Sequence, residues 1–533
     1  MPGGGFYAFV TYGAQNVLLS SNPDMTYFYK VFRKYTHFAE ESFTVTVDGP
    51  NELKWDQPVQ IRAKLPRNAD LVRDMYFIFT LPDIYSKFVD NTLRRQYEFA
   101  WSKYIGCRVI ESVAIFIGGQ KIQEFDSSYL VAKANLDLPY DELKKWEYLV
   151  GHIPELYDPA NSSTAAVGSA GTIQGKYPTV GKLNSQQGPQ TNRPSIFGRD
   201  IYVPLPFWCM EDPSLALPLC ALQLQEVEVQ LTLRPLNELY TINDASGSSM
   251  GLNYRVAPGY HMSSTEEQYK LGLPTYAQDT FNQTTNNWFI SNFLVDIGYT
   301  PPTLDKLPYN PRIYATYVYL SDEERKVFST TQLQYLVYQV NSITQNLYTR
   351  DFIQLDIHNP ITRLLTVPRR SDAIPYRNNE YNWTNWVTDV APYIETGPSP
   401  ISPAPPGISL SGLLIPSGQK DIVRSLRVIC DGNPLQDERA AEYFRKLVPY
   451  KYYNGQNITE AVVYPFSIKQ SAVQPSGSIN ASRIKNFQVD VDLFPLPLNS
   501  QNKYGYLYDI TIYIESINWV VIQNGTGGLK YAL

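Results

Sequence analysis

The chain has 533 residues and a formal net charge of −6. That length suits two large β-sandwiches of about 200–250 residues each as well as three or four average domains, and the acidic balance argues against direct packaging of nucleic acid, which needs basic patches. Charged residues are only 18% and aromatic residues 14%, with 41 tyrosines, a balance that suits broad contact surfaces because tyrosine joins apolar area to a polar tip.

Residues 1–26 open on Pro2-Gly-Gly-Gly5 and continue through Phe6, Tyr7, Phe9 and Val10 with no clear period. They read as a flexible start, either a disordered terminus or an N-terminal arm. A first sandwich is expected over residues 27–235. Phe43, Val45 and Val47 alternate with Thr44 and Thr46. Val59, Ile61, Ala63 and Leu65 alternate with Gln60, Arg62 and Lys64. Both runs read as half-buried strands. Met75 to Leu81 is apolar on both faces and predicts a central strand. Residues 84–104 predict a weak helix. Val109 to Ile117 predicts a strand that turns at Gly118-Gly119. Residues 158–198, rich in Ser, Gly, Thr, Pro and Gln, predict a long exposed loop. Val227, Val229, Leu231 and Leu233 predict the strand that closes this unit.

Residues 236–286 are polar and are expected to link the units. The second sandwich is expected over 287–533. Ile313–Leu320 predicts a Tyr-rich strand within it. Ser321-Asp-Glu-Glu324 predicts a helix start with Ser321 as the cap. Residues 371–418 predict a second long loop. Ile422–Cys430 predicts a strand with a hairpin turn at Asp431-Gly432, followed by a helix around Asp437–Leu447. In Tyr464–Lys485, Phe466 and Ile468 alternate with Ser467 and Lys469, and Pro475 and Gly477 mark a turn. Tyr506–Ile522 supplies the last strands. "FIGGQKIQEFDSSYL" and "VICDGNPLQDERAAEYF" share an order of strand, Gly turn, polar link and short helix, which suggests duplication of one sandwich.

Five ordered motifs between residues 11 and 490 resemble one family. "TYGAQNVLLSSNPDMTYFYKVFRKYTHFA" (Thr11–Ala39) resembles a YGAQD…NP-x-x-T-x-F pattern, with Tyr29, Phe32 and Lys34 departing from it. "WSKYIGCRVIESVAIFIGGQKI" begins at Trp101 and keeps Gly106, Ser112 and Gly118-Gly119-Gln120 in register. "IYVPLPFWCMEDPSLALPLCAL" begins at Ile201, and an L-x-x-E-E-R-x-x-F run spans Leu320–Phe328. "YPFSIKQSAVQPSGSINASRI" begins at Tyr464. These are similar to the major capsid proteins of nucleocytoplasmic large DNA viruses. The resemblance implies an all-β fold of two consecutive eight-stranded antiparallel jelly-roll sandwiches with short helices and long loop insertions. It implies a homotrimer that looks hexagonal and tiles an icosahedral shell, with the long loops outermost. It places the arm inward, toward minor capsid and penton proteins and an inner membrane, in a virion assembled in the host cytoplasm. The alternatives are a minor capsid, penton or turret protein, or a carbohydrate-binding or carbohydrate-active jelly roll.

Catalytic signatures are missing from the sequence: it has no GxSxG elbow joining a predicted strand to a helix, no HExxH and no GxxxxGK[ST] run. No cofactor and no metal are expected, since His37, His152, His261 and His358 are scattered. Cys107, Cys209, Cys220 and Cys430 form no CxxC pair, which favours a reducing compartment over a disulfide framework. No N-terminal signal and no apolar run of about 20 residues is present. Glu40-Glu41 and Glu323-Glu324 read as solvated, as do Lys144-Lys145 and Arg369-Arg370. Arg483 is expected to pair structurally at its corner. Asn-x-Ser/Thr triplets fall at Asn161, Asn282, Asn382, Asn457, Asn480 and Asn524. Asn161, Asn282 and Asn382 are the candidate glycosylation positions, with Asn161 and Asn382 in the expected long loops.

Overall fold

The computed structural model describes residues 3–85, 97–160, 177–178, 194–244, 257–258, 289–295, 300, 302, 306–386, 420–457, 459–470, 473–496 and 506–531. Strands β1 (Ala39–Val45), β2 (Val59–Lys64), β3 (Leu71–Leu81), β4 (Ile110–Ile117), β5 (Gln120–Asp126), β6 (Arg199–Pro204), β7 (Val227–Leu233) and β8 (Arg312–Tyr319) make the first unit. They form two antiparallel sheets, ordered β1–β8–β3–β6 and β2–β7–β4–β5. The second unit repeats the plan with β9 (Leu333–Leu347), β10 (Asp351–Leu355), β11 (Pro360–Arg370), β12 (Val423–Cys430), β13 (Asn433–Pro434), β14 (Val462–Pro465), β15 (Phe487–Leu493) and β16 (Tyr508–Gln523). Its sheets are ordered β9–β16–β11–β14 and β10–β15–β12–β13. In both units the last strand lies between the first and the third, and the seventh between the second and the fourth. That order is a jelly roll, and the chain holds two of them.

The period-2 pattern sets the faces. In β2 the residues Val59, Ile61 and Ala63 are buried while Gln60, Arg62 and Lys64 are exposed, and β7 alternates in the same way. β3 is flanked on both sides and buries most of its length. Gly118 and Gly119 take φ +56° and +82° between β4 and β5, and Asp431 and Gly432 take +48° and +83° between β12 and β13. Both pairs are tight two-residue turns of the kind that matches strand twist.

Several expectations are corrected. Ile313–Leu320, expected in a second unit starting near residue 287, pairs through β8 with β1 and β3 and is the last strand of the first roll. The rolls divide between β8 and β9. A strand at Tyr97–Trp101, pairing with Tyr240–Asp244, stands where a weak helix was expected. The second partner lies at the start of the expected linker, and Leu236, Leu239, Tyr240 and Ile242 there are buried. Ser321 occupies the N-cap position before the helix Asp322–Thr330, but its side chain makes no capping bond. The helix expected around Asp437–Leu447 spans 441–452 instead, because Arg439–Ala440 still pairs with β12. Exposure continues past residue 26, and the chain enters the fold only at β1. Before it, α1 (Gly4–Val10) and α2 (Ala14–Ser20) bury no residue.

Of the loop expected at 158–198, most lies outside the described residues. The loop expected at 371–418 begins instead as packed structure. Asp372, Glu380, Asn382 and Trp383 are buried, and 387–419 lie outside the described residues.

Candidate functional site

The feature that distinguishes this molecule is the seam between its rolls. One hydrophobic cluster runs through both units, yet the surfaces that meet at the seam carry charges. After β5 comes α3 (Ser127–Asp137), capped by the Asp126 carboxylate, which accepts from the Tyr129 N–H at 2.7 Å. This helix lies against the outer face of the β9–β16–β11 sheet. Arg363 on β11 donates to both oxygens of Asp137 at 2.9 and 3.1 Å and to Glu515 on β16 at 2.8 Å. The Tyr129 hydroxyl donates to Glu515 at 2.6 Å, and the Tyr513 hydroxyl to Asp126 at 2.7 Å. Such a bidentate guanidinium fixes direction as well as distance. Burial alone would raise the Asp137 carboxyl, but Arg363 and Lys133 hold it below its ordinary value. Burial pushes the Asp126 carboxyl up to about 6.

A second cluster closes the same seam. Glu380 accepts from Ser127 and Ser128 at 2.8 Å each, from Arg234 at 3.1 Å, and from Arg108. Arg108 is wholly buried. Burial would raise the Glu380 carboxyl, yet Arg234 and Arg108 hold it far below the usual carboxylate range. Backbone bonds finish the joint. The side chains of Gln123 and Gln339 each donate to a carbonyl of the opposite roll, at 2.8 and 3.1 Å. Gly455 donates to the Leu136 carbonyl at 2.8 Å, and a Cβ there would meet the Asn135 carbonyl at 2.4 Å. Only glycine allows that approach.

A cleft of 540 Å³ opens on the seam, lined in part by Lys133, Asp137, Glu211, Arg363 and Glu515. Asp137, Glu211 and Glu515 there are ion-paired. Arg363 holds Asp137 and Glu515, while Lys133 reaches Asp137 and Glu211 at 3.3 Å each. That arrangement ties the helix of the first roll to the sheet of the second. Among the described residues, no group of three His, Cys, Asp or Glu side chains could hold a metal, and no helix is long and apolar enough to cross a membrane.

The candidate glycosylation positions fare differently. Asn161 and Asn282 lie outside the described residues. Asn382 is 2% exposed, with its amide donating to the Trp386 carbonyl at 2.8 Å and its carbonyl accepting from the Thr384 hydroxyl at 2.6 Å. The expected exposed loop is absent there. Asn457 and Asn480 use the same i to i+2 bond, to Thr459 at 3.0 Å and Ser482 at 2.7 Å. In this fold these three triplets act as side-chain turns.

Arg370, expected on the surface, is buried against Asp372 and stacks 3.8 Å from the Tyr506 ring centre. Arg483 is exposed rather than pinned at a corner, and Ile468 is exposed while Ser467 is buried. The sequence reading missed Arg108, Asp137, Arg363, Glu380 and Glu515. Two of them carried a signal: Arg363 and Glu515 each interrupt an apolar run that reads as a central strand. A charge in that position is seldom buried without a partner.

Two jelly rolls joined along a rigid seam define the double jelly-roll class of capsid protein. The first part of the chain, residues 26–266, matches a family model described as the major capsid protein N-terminus, and residues 324–528 match the large eukaryotic DNA virus major capsid protein. The chain belongs to this family of large DNA virus major capsid proteins. It is 24% identical to the major capsid protein of Phaeocystis pouchetii virus over 99% of both chains, and 23% identical to that of Paramecium bursaria Chlorella virus 1 over 99% of both. Among solved structures, VP54 of PBCV-1 shares its fold with a TM-score of 0.62 at 18% identity, over 95% of this chain and 100% of that one. The Faustovirus major capsid protein gives 0.57 at 12% identity, over 96% and 94%.

Proposed function

We propose that the protein builds the outer shell of a large double-stranded DNA virus as a homotrimer, and that it catalyses no reaction. The observation that carries this reading is the character of the seam. It joins unlike faces: a helix face on the first roll meets a sheet face on the second. Each roll repeats the same strand order, so the first roll keeps a sheet face and the second a helix face that the seam does not use. Head-to-tail contact between unlike faces closes into a ring when the rotation suits. Three copies of two similar rolls give six similar edges, which suits hexagonal tiling. The buried ion pairs set the geometry of each brick rather than add to its net stability.

The arm supports a second contact. Phe6, Phe9, Leu18, Leu19, Phe28 and Phe32 are all more than 70% exposed, an apolar load that a folded subunit does not leave in water. In this reading the arm lies under the capsomer against minor capsid proteins or an inner membrane, and assembly takes place in the host cytoplasm. Light scattering of the purified full chain tests the core of the proposal. A particle near three times 60.7 kDa supports it, and a stable monomer at micromolar concentration rejects it.

A further inference from the structure

The internal duplication gives a residue-level map of the contact between copies. In the first roll, β3 bulges opposite Thr316 and Tyr317, so Val72 and Asp74 have partners on β8 while Arg73 does not. In the second roll, β11 bulges in the same place, with Ile361 and Arg363 paired to Ser516 and Glu515 and Thr362 left over. Superposing the two bulges puts Asp74 where Arg363 stands, Thr316 where Glu515 stands, and Tyr314 where Tyr513 stands. The helix face can be matched in the same way. The bulge between β7 and β4 skips Glu111, and that between β15 and β12 skips Arg424. Ser112 pairs with Asp126, and Ser425 with Ala440. Counting on from there, Tyr443 takes the place of Tyr129, and Lys451 falls at the end of the helical stretch as Asp137 does, although 443–447 winds as a π-helix where Ser127–Asp137 is α-helical.

The map has a chemical consequence. In the seam an acid on the helix, Asp137, holds a base on the sheet, Arg363. On the two leftover faces both signs are reversed: the helix carries Lys451 and the sheet carries Asp74, which within the subunit already accepts from Arg73 at 3.0 and 3.2 Å. Complementarity is kept, and like charges would meet if a leftover face tried to enter the intrachain seam. Tyrosine recurs at both Tyr129 and Tyr443, opposite a hydrogen-bonding partner in each case, Glu515 or Thr316. The helical stretch 441–452 also leaves Leu447 and Tyr450 exposed, with Leu435 beside it, apolar area that an interface of this kind would cover.

We infer that the 441–452 helix face of one copy seats on the outer β8–β3 face of a second copy, with Lys451 against Asp74 and Tyr443 against Thr316. The inference rests on the self-assembly reading above and adds which surfaces meet.

Charge reversal in the full chain tests it. Lys451→Asp alters an exposed side chain, so the subunit folds and only assembly is at risk. Asp74→Lys makes the reciprocal change, and the double variant restores opposite signs. Each single variant is expected to weaken the trimer about tenfold or more in dissociation constant, and the double to recover most of that loss. A wild-type chain that is no trimer defeats the self-assembly reading. A wild-type trimer that Lys451→Asp leaves equally tight overturns the contact map alone. So does a double variant no tighter than Lys451→Asp, provided its circular dichroism matches that of the wild type.

Discussion

Asp126 shows how one residue serves fold and joint together. One of its oxygens caps α3 through the Tyr129 N–H and the other takes the Tyr513 hydroxyl from the second roll. Burial is the main cause of its raised carboxyl pKa, about 6, so the folded protein holds this proton more tightly than the unfolded chain does. Its contribution therefore favours the fold at pH below the ordinary carboxylate value near 4. That favour is lost as pH rises toward 6, where the charged form must be kept desolvated. The side-chain amide introduced by Asp126→Asn would keep both bonds, its carbonyl accepting from the Tyr129 N–H and its NH2 group turned to the Tyr513 oxygen. Asp126→Asn is thus expected to match or exceed wild-type stability above pH 6 and to remove the part of the pH dependence that falls between about 4 and 6. Urea unfolding across that range reads the difference. A variant less stable at pH 7, with the slope between 4 and 6 intact, rejects the assignment.

At the scale of elements, the strand that matters most to the boundary is β8. It sits between β1 and β3, so a first roll without it has a gap in the middle of one sheet rather than a missing edge. Ile313, Ala315 and Tyr317 on β8 are fully buried. Removing them exposes three core side chains, each of which contributes about 1.5–3 kcal/mol when large, and strips partners from two neighbouring strands. A fragment spanning residues 27–320 is expected to show a cooperative β-rich unfolding transition, whereas one spanning 27–286 is expected to aggregate or stay unfolded. Circular dichroism and thermal scans of the two fragments decide between this boundary and one at residue 287. The same strand marks the limit of what the sequence discloses. Alternation revealed β1 and β2 as strands, tyrosine richness marked β8, and Gly118-Gly119 and Asp431-Gly432 disclosed the β4–β5 and β12–β13 hairpins, because faces and turns are local properties. Which sheet β8 joins depends on a partner more than 200 residues earlier in the chain, and no local pattern encodes that. The buried stretch at 371–386 was misread for a related reason. Asn, Pro and Ser there look like loop chemistry, while the packing of Trp383 and the charge on Glu380 are settled by the other roll.

For the whole molecule, the two rolls have been made into one unit, and the seam is what does it. The hydrophobic cluster continues from Leu136 and Tyr129 in the first roll to Tyr513 and Ile514 in the second. Pulling the rolls apart would bare Arg108 and Arg363, both almost entirely buried, together with the carboxylates that hold them. Water would rehydrate those charges, but a single roll that had opened alone would also present a broad apolar face. Independent unfolding is therefore disfavoured, and the intact protein is expected to melt in one calorimetric transition with matching calorimetric and van't Hoff enthalpies. Glu380→Ala probes the joint without touching either core. It leaves Arg108 and Arg234 with Glu238 alone, at 3.3 and 3.0 Å, as their shared carboxylate, a loss of up to about 3–5 kcal/mol for a buried pair broken on one side. If the seam couples the rolls, this substitution lowers the single transition by several degrees and keeps it single. If the rolls are merely adjacent, the scan of the variant splits into two peaks, one for each roll, and the brick is two bodies rather than one.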